Sequence, residues 1–278
     1  MKKILLALSA LAAMVPLYAA KPRTPEQIKV VSYNIRNGVA KDGPNSWEYR
    51  APASAMMLLD QNPDVMGVQE AYNFQTGYLI QCCPEYRYVG VGRDNGKNAG
   101  EIMGVFYNKK RVSVQKWGTW WLSETPEKPS LGWDAACKRT ATWALMKTRS
   151  GGHKFIFVNT HIDHKGREAQ QKGVELLLAK IAELNVHGLP VVITGDFNMT
   201  PGKEPIRLVC EQYRNAREGA AVTDNEGTFH GWGKRSSMID YIFFSGFSSC
   251  TEYSTVQKEY LGRHFISDHY PVSATLVF

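Results

Sequence analysis

The sequence predicts an α/β fold in which two mostly antiparallel sheets pack together and carry helices on their outer faces. Runs rich in β-branched and aromatic residues recur along the chain, and short turns such as residues 149–152 favour antiparallel hairpins. A single open sheet of so many twisted strands would tend to split, which favours two packed sheets. The predicted strands cover residues 28–35, 64–69, 86–91, 102–107, 112–117, 140–148, 153–161, 190–195, 239–244 and 271–277.

Helical spacing is found in stretches that lie between these strands. The clearest helix covers residues 170–184, where Val174, Leu177 and Ile181 recur at helical spacing and Gly188 follows as a C-cap. The other predicted helices cover residues 47–60 and 204–212. Because helices and strands are interspersed along the chain, the helices are expected to flank the sheets.

The N-terminus resembles a signal peptide, predicted at residues 1–20. A basic start precedes the apolar run of residues 4–17, which is short for a bilayer span, and Ala19 and Ala20 offer a cleavage point. An uncleaved N-terminal anchor is the alternative. We therefore expect an exported protein, periplasmic or secreted, in which residues 21–278 form one domain, because no linker or repeat divides them.

Composition and charge set broader limits on the chain. With 44% hydrophobic residues, the chain can build one large core. The formal net charge of +7 favours an anionic ligand, but a generally basic surface explains it equally well because the lysines and arginines are scattered. The five cysteines cannot all pair with one another, and their spacing fits no zinc framework. One or two disulfides are possible in an exported protein, but the sequence does not assign their pairing, and no cysteine is assigned a catalytic role.

Acidic, amide and imidazole side chains end several of the apolar strands. In the plainest case, Asp196 and Asn198 follow the apolar run of residues 190–194. The same pattern recurs at Asn34, at Gln69-Glu70 and at Asn159-Thr160-His161, and Asp268-His269 lies near the C-terminus. Open α/β sheets place their chemistry at such strand ends. The pattern therefore predicts a metal-assisted hydrolase.

Glu70 is the leading candidate for a metal ligand. Hydrolysis of a phosphate ester requires neutralised phosphoryl oxygens, an activated water and a stabilised leaving oxygen. Mg²⁺ supplies the first and often the third, and it prefers carboxylate oxygens. Glu70 directly follows a predicted strand, where burial of its charge would be costly without a metal or a partner. An ordinary surface glutamate after a strand is the alternative.

Two acid-containing pairs are candidates for handling the water and its proton. Asp196 and Asn198 would project to the same side of an extended chain and could there orient a water on a phosphate. An Asx turn is the alternative for this pair. Asp240 lies within an apolar strand, and Asp268-His269 follows downstream, so a carboxylate–imidazole pair is expected.

Taken in order, these motifs resemble the endonuclease/exonuclease/phosphatase superfamily, which includes the pancreatic-type deoxyribonucleases. The resemblance covers the mature chain from Ile28 to Val277 and is closest to exported bacterial members. The motifs are Ser32-Tyr33-Asn34-Ile35-Arg36, Gln69-Glu70, Asn159-Thr160-His161-Ile162-Asp163-His164, Gly195-Asp196-Phe197-Asn198, Ile239-Asp240-Tyr241-Ile242 and Ser267-Asp268-His269-Tyr270-Pro271-Val272. So many motifs in the same order make chance a poor explanation.

The resemblance implies a four-layered α/β sandwich and a divalent metal, Mg²⁺ or Mn²⁺, that acts on a phosphate-ester substrate. It makes Glu70 the main metal ligand. Asn34 would be a neighbouring ligand or a phosphate contact, and Asp268 would complete the metal site.

For the reaction itself, the resemblance implies that Asp196 orients or deprotonates the water and that Asn198 holds the phosphate. His269 would polarise a phosphoryl oxygen or act as the base, with Asp240 holding its ring. His161 would contact phosphate or assist the leaving group. The division of labour between Asp196 and His269 stays open at this point.

Three further residues are candidates for the site beyond those that the resemblance implies. Arg139 is a candidate phosphate contact because a guanidinium can bind two oxygens at once. Asp163 and His164 are either further site residues or a loop salt bridge and cap for the helix at residues 170–184.

The sequence leaves the substrate open. Loop aromatics could stack on a base or a sugar, although packing against the sandwich is the better interpretation for each one. These aromatics are Trp120, Trp121, Trp133, Trp232 and His230. No long basic helix or apolar amphipathic insertion is evident, which disfavours a processive duplex nuclease and a lipid-surface enzyme.

Three functions therefore compete. A phosphodiesterase or nuclease, acting on nucleic acid, is slightly favoured. A phosphomonoesterase for a phosphorylated sugar, inositol or lipid headgroup is the alternative, and a non-catalytic binding protein is disfavoured because the acidic and imidazole residues of the motifs are intact. We expect a monomer with no stable protein partner and no transmembrane segment in the mature chain.

Overall fold

The computed structural model describes residues 25–278, so the predicted signal peptide at residues 1–20 lies outside the described residues. The strands are β1 (Gln27–Asn34), β2 (Val65–Ala71), β3 (Tyr86–Val89), β4 (Ile102–Asn108), β5 (Val112–Trp121), β6 (Thr140–Thr148), β7 (Lys154–His161), β8 (Val191–Asp196), β9 (Arg214–Asn215), β10 (Ala220–Val222), β11 (Asp240–Ser245), β12 (Ser249–Thr255) and β13 (Val272–Val277). The helices are α1 (Trp47–Gln61), α2 (Asn73–Cys82), α3 (Arg167–Leu184), α4 (Glu204–Cys210) and α5 (Ala216–Gly219), with a 3-10 turn at Gly43–Asn45.

The strands form two mostly antiparallel sheets, as the sequence predicts. A seven-stranded sheet has the order β10-β12-β13-β1-β2-β4-β3, and a six-stranded sheet has the order β5-β6-β7-β8-β11-β9. The pairs β1–β2, β7–β8 and β10–β12 are parallel. The turn at residues 149–152 joins β6 to β7, which pair antiparallel as the predicted hairpin.

Three hydrophobic cores separate four layers. The central core lies between the two sheets and includes Phe157 and Ile242. On the outer face of the seven-stranded sheet, Met57 of α1 is buried in a second core. On the outer face of the six-stranded sheet, Leu177 of α3 and Ile206 of α4 are buried in a third. This arrangement is the four-layered α/β sandwich that the resemblance implies.

Helix α3 confirms the predicted periodicity but not its predicted end. Val174, Leu177 and Ile181 form its buried face. The helix ends at Leu184 with Asn185 in the capping position, so the predicted C-cap role of Gly188 is wrong. The side chain of Asn185 closes the turn instead, because it accepts the backbone N–H of residue 189 and donates to the backbone carbonyl of that same residue, both at 2.8 Å.

Several short elements escaped prediction because their sequences carry no clear apolar period. Helix α2 buries Gln75, Thr76 and Leu79, two of which are polar, so no apolar stripe marks it. Strand β12 alternates irregularly between buried and exposed positions, and its register against β13 shifts between Cys250 and Glu252. Strands β9 and β10 and helix α5 are too short to produce a periodic signal.

The open question of disulfides is answered within the described residues. All five cysteines are unpaired, and Cys83 and Cys250 are buried as apolar side chains. Over residues 25–278, no helix combines the length and the apolarity that a bilayer crossing requires.

Candidate active site

Neighbouring strands of the six-stranded sheet bring His161, Asp196 and Asp240 into one row. Strand β7 runs parallel to β8 with His161 opposite Asp196, and β11 runs antiparallel to β8 with Asp240 opposite the same Asp196. All three side chains are buried. Because the apolar faces of these strands specify the register, they also specify that one imidazole and two carboxylates lie side by side.

The other sheet contributes Glu70 through an irregularity in β2. The register of β2 against β4 shifts between Val68 and Ala71, and Glu70 has a left-handed backbone with a φ of 62°. A bulge re-aims a side chain out of the regular alternation of a strand. Left-handed backbone is strained for a glutamate, and strain of this kind concentrates at functional sites.

Asn34, at the end of β1, connects the two sheets at this edge. Its amide donates to Glu70 Oε1 at 3.1 Å and to Asp196 Oδ2 at 2.9 Å. The backbone N–H of Asn37 donates to Glu70 Oε2 at 2.8 Å. Burial alone would raise the pKa of Glu70, but the charge of His269 and these hydrogen bonds outweigh it and lower the pKa. Glu70 is therefore ionised at neutral pH.

His269 lies between two carboxylates. Its Nδ1 is 2.8 Å from Asp240 Oδ2, and its Nε2 is 3.7 Å from Asp196 Oδ2. Burial alone would lower the pKa of His269, but the charges of Asp240 and Asp196 outweigh it and raise the pKa to about 10. The ring is thus an imidazolium at neutral pH, held by Asp240 through Nδ1 with Nε2 directed toward Asp196.

Asp196 has a different protonation behaviour from an ordinary aspartate. Burial and the neighbouring charge of Asp240 raise its pKa to about 7. The backbone N–H of Asn198 donates to Asp196 Oδ1 at 2.8 Å, and Asn198 has a φ of 53°. The predicted alternative, an Asx turn, is therefore the local backbone geometry, and the chain is not extended here.

Asn198 nevertheless lies against His161 in the site. Its side-chain amide donates to His161 Nε2 at 2.9 Å and to the carbonyl oxygen of Ile162 at 3.0 Å. Burial and the charge of Arg139 lower the pKa of His161 well below its usual value, so this ring is neutral. With Nε2 accepting from Asn198, the proton of the neutral ring resides on Nδ1.

Asp268 lies at the margin of the same cluster. Its Oδ2 is 3.6 Å from Arg36 Nη1. Burial and the nearby charge of Glu70 raise its pKa, although the His269 charge opposes them. The neighbouring Ser267 hydroxyl donates to the carbonyl oxygen of Asn34 at 2.6 Å, which holds this loop against the end of β1.

Arg139 is buried beside the cluster and is held by the two residues whose role the sequence left open. Its Nε donates to Asp163 Oδ2 at 3.2 Å, and its Nη2 lies 2.8 Å from His164 Nδ1. Asp163 Oδ1 also accepts the backbone N–H groups of Lys165 and Gly166. Asp163 and His164 thus position Arg139, and Asp163 orders the loop that leads into α3.

A cleft of about 450 Å³ opens onto these side chains. All but two of the site residues predicted from the sequence line it, and Asn34 and Asp240 lie behind them in hydrogen-bond contact. The lining residues from the prediction are Glu70, Arg139, His161, Asp196, Asn198, Asp268 and His269. The structure therefore brings together every predicted site residue at one edge of the sandwich.

The donor set of the cluster fits a divalent cation. Four carboxylates converge on the site, at Glu70, Asp196, Asp240 and Asp268, and one imidazolium and Arg36 offset only part of their charge. Ligand atoms of Glu70, His161 and Asp196 lie within 4.8 Å of one another. Among the described residues, Asp240 Oδ1 is buried without a hydrogen-bond partner. Surplus hard oxygen donors of this kind suit Mg²⁺ or Mn²⁺.

Residues 31–269 match the family model described as Endonuclease/Exonuclease/phosphatase family. The chain belongs to this family. Members of the family are metal-dependent phosphoesterases, and this family member is accordingly a hydrolase that acts on phosphoric esters.

Similar proteins include both close and distant members. A mannosyl-6-phosphatase from Bacteroides thetaiotaomicron is 33% identical, with 90% of this chain and 100% of that one covered and a TM-score of 0.86. The human Nocturnin catalytic domain, with bound sulfate, is 17% identical over 91% of this chain and 94% of that one, and its TM-score of 0.72 shows a shared fold. An uncharacterised protein of Acanthamoeba polyphaga mimivirus is 22% identical over 88% of this chain and 98% of its own length.

A buried amide network, which sequence reasoning missed, ties the two sheets of this family member together behind the site. The side-chain amide of Asn159 donates to the carbonyl oxygens of Val68 at 2.9 Å and Gly104 at 3.0 Å, and its Oδ1 accepts from Gln69 at 2.6 Å. A Cβ at Gly67 would lie 2.5 Å from Asn159 Oδ1, so only glycine fits there. The signal in the sequence was the presence of amides within otherwise apolar strands.

Arg50 of α1 is a second positioning residue that the sequence did not reveal. Its buried guanidinium donates to the carbonyl oxygens of Ile35 and of Arg36, the latter at 2.8 Å, and lies 3.3 Å from that of Ile266. Arg50 thereby joins the loop after β1 to the loop that carries Asp268. An arginine on the buried face of a helix was the available signal.

The packing that the sequence favoured for the loop aromatics is found at Trp120, Trp121 and His230. Trp120 stacks on Trp143 with ring centroids 5.8 Å apart. Trp121 is buried, and its Nε1 donates to the carbonyl oxygen of Arg93 at 2.8 Å. His230 stacks on Phe265 with ring centroids 4.4 Å apart and contacts the tilted ring of Tyr270, and burial lowers its pKa to about 4.

We expect Asp163→Asn to lower the free energy of unfolding at pH 7 by about 2 kcal/mol, the scale of hydrogen bonds to a charged group. Burial alone would raise the pKa of Asp163, but the backbone N–H groups and Arg139 outweigh it and lower the pKa. The carboxylate therefore stabilises the fold above its unfolded-state pKa, and that contribution is lost as the pH falls through the folded-state pKa. Urea unfolding from pH 3 to 7 should show the two proteins converging at acid pH.

The same variant separates positioning from catalysis. Because Asp163 acts through Arg139, kcat should fall less than about tenfold, well short of the loss expected for a residue that contacts the reacting phosphate. A loss as large as that of Glu70→Ala would place Asp163 among the residues that contact metal or substrate.

Proposed function

We propose that this protein is a Mg²⁺- or Mn²⁺-dependent phosphomonoesterase that removes the phosphate from a phosphorylated sugar. The observation that carries the proposal is the buried line Asp240–His269–Asp196 beside Glu70, in a cleft that also contains Arg139. A small cleft of about 450 Å³ suits a compact substrate. The 33% identity to a mannosyl-6-phosphatase over the whole of that chain supports a sugar phosphate.

The residues of the chain divide the reaction among them. Glu70, with Asn34 and Asp268 beside it, would hold the divalent cation, which neutralises phosphoryl oxygens and stabilises the leaving oxygen when bound. Asp196, whose raised pKa lies near neutrality, orients the attacking water and accepts its proton.

The remaining site residues bind the charged phosphate. The His269 imidazolium, fixed by Asp240, donates from Nε2 to a phosphoryl oxygen as charge develops. Arg139 donates to the other phosphoryl oxygens. Asn198 lines the same side of the cleft, with its two amide hydrogens held by His161 Nε2 and the carbonyl oxygen of Ile162. His161 is neutral with its proton on Nδ1, and it holds the amide of Asn198 in place.

A phosphodiesterase or nuclease is the second candidate, and Phe229 favours it. This ring lines the cleft next to His269, with centroids 4.8 Å apart. An aromatic face at that position offers a stacking surface for a nucleobase.

The proposal extends to the setting of the enzyme. Residues 1–20 have the character of a signal peptide, so the enzyme would work in the periplasm or outside the cell as a monomer on scavenged phosphate esters. Size-exclusion chromatography with light scattering on residues 21–278, and N-terminal sequencing of protein exported by a bacterial host, test these two points.

A substrate panel tests the proposed reaction. Residues 21–278 should release phosphate from mannose 6-phosphate or another hexose 6-phosphate with Mg²⁺ or Mn²⁺, and EDTA should abolish turnover. The panel also includes p-nitrophenyl phosphate, bis(p-nitrophenyl) phosphate, single-stranded and duplex DNA, RNA, inositol phosphates and sphingomyelin. A higher kcat/KM for nucleic acid or for the diester than for every monoester would overturn the monoesterase in favour of the second candidate.

A further inference from the structure

The cleft has a second polar wall that the proposed reaction does not use. Arg93 and Glu101 form an ion pair there, with Arg93 Nη1 2.6 Å from Glu101 Oε2. Both residues line the cleft together with Asn37. Glu101 is only 6% exposed, so the pair is largely withdrawn from bulk water.

Asn37 connects this wall to the reacting centre, because it contacts both Glu70 and Glu101. Its backbone N–H donates to Glu70 Oε2 at 2.8 Å, while its side-chain amide lies 3.4 Å from Glu101 Oε1. Arg93 and Glu101 line the same cleft as Glu70, Asp196 and His269, so the alcohol portion of a phosphate ester bound there lies within reach of this wall. Trp121 Nε1 donates to the backbone carbonyl oxygen of Arg93 at 2.8 Å, which holds the backbone of this wall in place.

The hydrogen-bonding capacity of the pair is not used up by the protein. Among residues 25–278, the Arg93 guanidinium donates only to Glu101, which leaves Nε and Nη2 without a protein acceptor. Glu101 Oε1 has only the long contact with Asn37. Burial raises the pKa of Glu101 although the Arg93 charge opposes it, as expected for a carboxylate with too few donors around it.

We propose that Arg93 and Glu101 bind adjacent hydroxyl groups of the sugar and thereby select polyhydroxylated phosphomonoesters. A sugar hydroxyl is both donor and acceptor, so one hydroxyl can donate to the Glu101 carboxylate while its neighbour accepts from Arg93. A site built to hydrogen-bond a substrate hydroxyl discriminates strongly against an analogue that lacks it, since its buried polar groups are then unpaired. This inference rests on the proposed sugar-phosphatase function.

The test compares a hydroxylated with an unhydroxylated substrate. For the purified protein with Mg²⁺, we expect Glu101→Gln and Arg93→Lys to lower kcat/KM for mannose 6-phosphate at least about tenfold, chiefly through KM. The value for p-nitrophenyl phosphate, which has no hydroxyl, should stay within about twofold. The control variants are Glu204→Gln and Arg207→Lys, which alter an exposed ion pair of the same 2.6 Å length outside the cleft and should change neither substrate.

A second measurement needs no variant and keeps the inference testable if Glu101→Gln does not fold. Hexose 6-phosphates that each lack one ring hydroxyl are compared with the parent sugar on the wild-type protein. At least two deoxy analogues, at adjacent carbons, should lose about tenfold in kcat/KM. In a folded Glu101→Gln protein one of these losses should disappear, because the partner of that hydroxyl has changed.

Failure of the inference can be told apart from failure of the proposed function. If the wild-type protein hydrolyses p-nitrophenyl phosphate but no sugar phosphate, the proposed function fails and this inference with it. If it hydrolyses sugar phosphates well, but the variants reduce both substrates equally or no deoxy analogue loses activity, the inference alone is overturned. Arg93 would then serve the phosphate itself.

Discussion

Glu70→Ala should lower kcat at least about a hundredfold, the scale of removing a metal ligand or an acid–base group. Glu70 is the carboxylate that the β2 bulge directs at Asn34, Asn37 and the cluster around Asp196. Glu70→Ala leaves the N–H donors of Asn34 and Asn37 without their acceptor, so we expect the free energy of unfolding to fall by about 1–3 kcal/mol, which is not enough to unfold a domain with three buried cores. The rate loss should therefore occur in a folded enzyme.

Metal binding provides the direct readout for this variant. A cation that binds only the native state raises the unfolding temperature, and it does so increasingly as its concentration exceeds its Kd. We expect Mg²⁺ or Mn²⁺ to raise the unfolding temperature of the wild-type protein, and of the exposed control Glu204→Ala, but not of Glu70→Ala. If the folded Glu70→Ala protein turned over substrate at the wild-type rate with Mg²⁺ supplied, the assignment of Glu70 as the main ligand would be wrong.

The second large effect is expected at His269. His269→Ala should lower kcat at least about a hundredfold, because it removes the imidazolium that lies between Asp240 at 2.8 Å and Asp196 at 3.7 Å. The variant also leaves two buried carboxylates without their shared cation. We therefore expect a loss of stability as well, and circular dichroism and urea unfolding should accompany the kinetic measurement.

Asp240→Asn separates the positioning of the ring from its chemistry. The isosteric amide keeps the space filled but removes the charge that holds His269 through Nδ1. Its kcat should fall between those of the wild-type protein and His269→Ala, with KM little changed. If Asp240→Asn had full activity while His269→Ala had none, the ring would act without Asp240, and the proposed line of three residues would be wrong.

Much of the site could be predicted because its residues end strands. An acid or amide that follows an apolar run can be placed at the end of a strand even when the partner strands are unknown. Asp196 and Asn34 are the last residues of β8 and β1. The strand pairs that bring His161, Asp196 and Asp240 together then follow from burial and register. The packed sheets with flanking helices could also be predicted, because the long strands and α3 have clear hydrophobic periodicity.

Other features depend on tertiary context and left no local mark. The bulge that gives Glu70 a φ of 62° is an interaction between β2 and β4, not a property of either sequence run. The Arg93–Glu101 pair closes a loop between residues eight positions apart, and nothing in their spacing distinguishes them from surface charges. Asp163 and His164 gained meaning only when the fold placed them against Arg139.

We expect this cleft to hydrolyse phosphoric monoesters with a divalent cation held at Glu70. The most direct measurement follows phosphate release from mannose 6-phosphate by residues 21–278 in Mg²⁺, after addition of EDTA, and after Mg²⁺ is restored. We predict turnover that EDTA abolishes and Mg²⁺ restores in the wild-type protein, and turnover at least about a hundredfold lower in Glu70→Ala whenever Mg²⁺ is present. Phosphate release that EDTA does not change, or that Glu70→Ala retains at the wild-type rate, would contradict a metal-dependent reaction centred on Glu70.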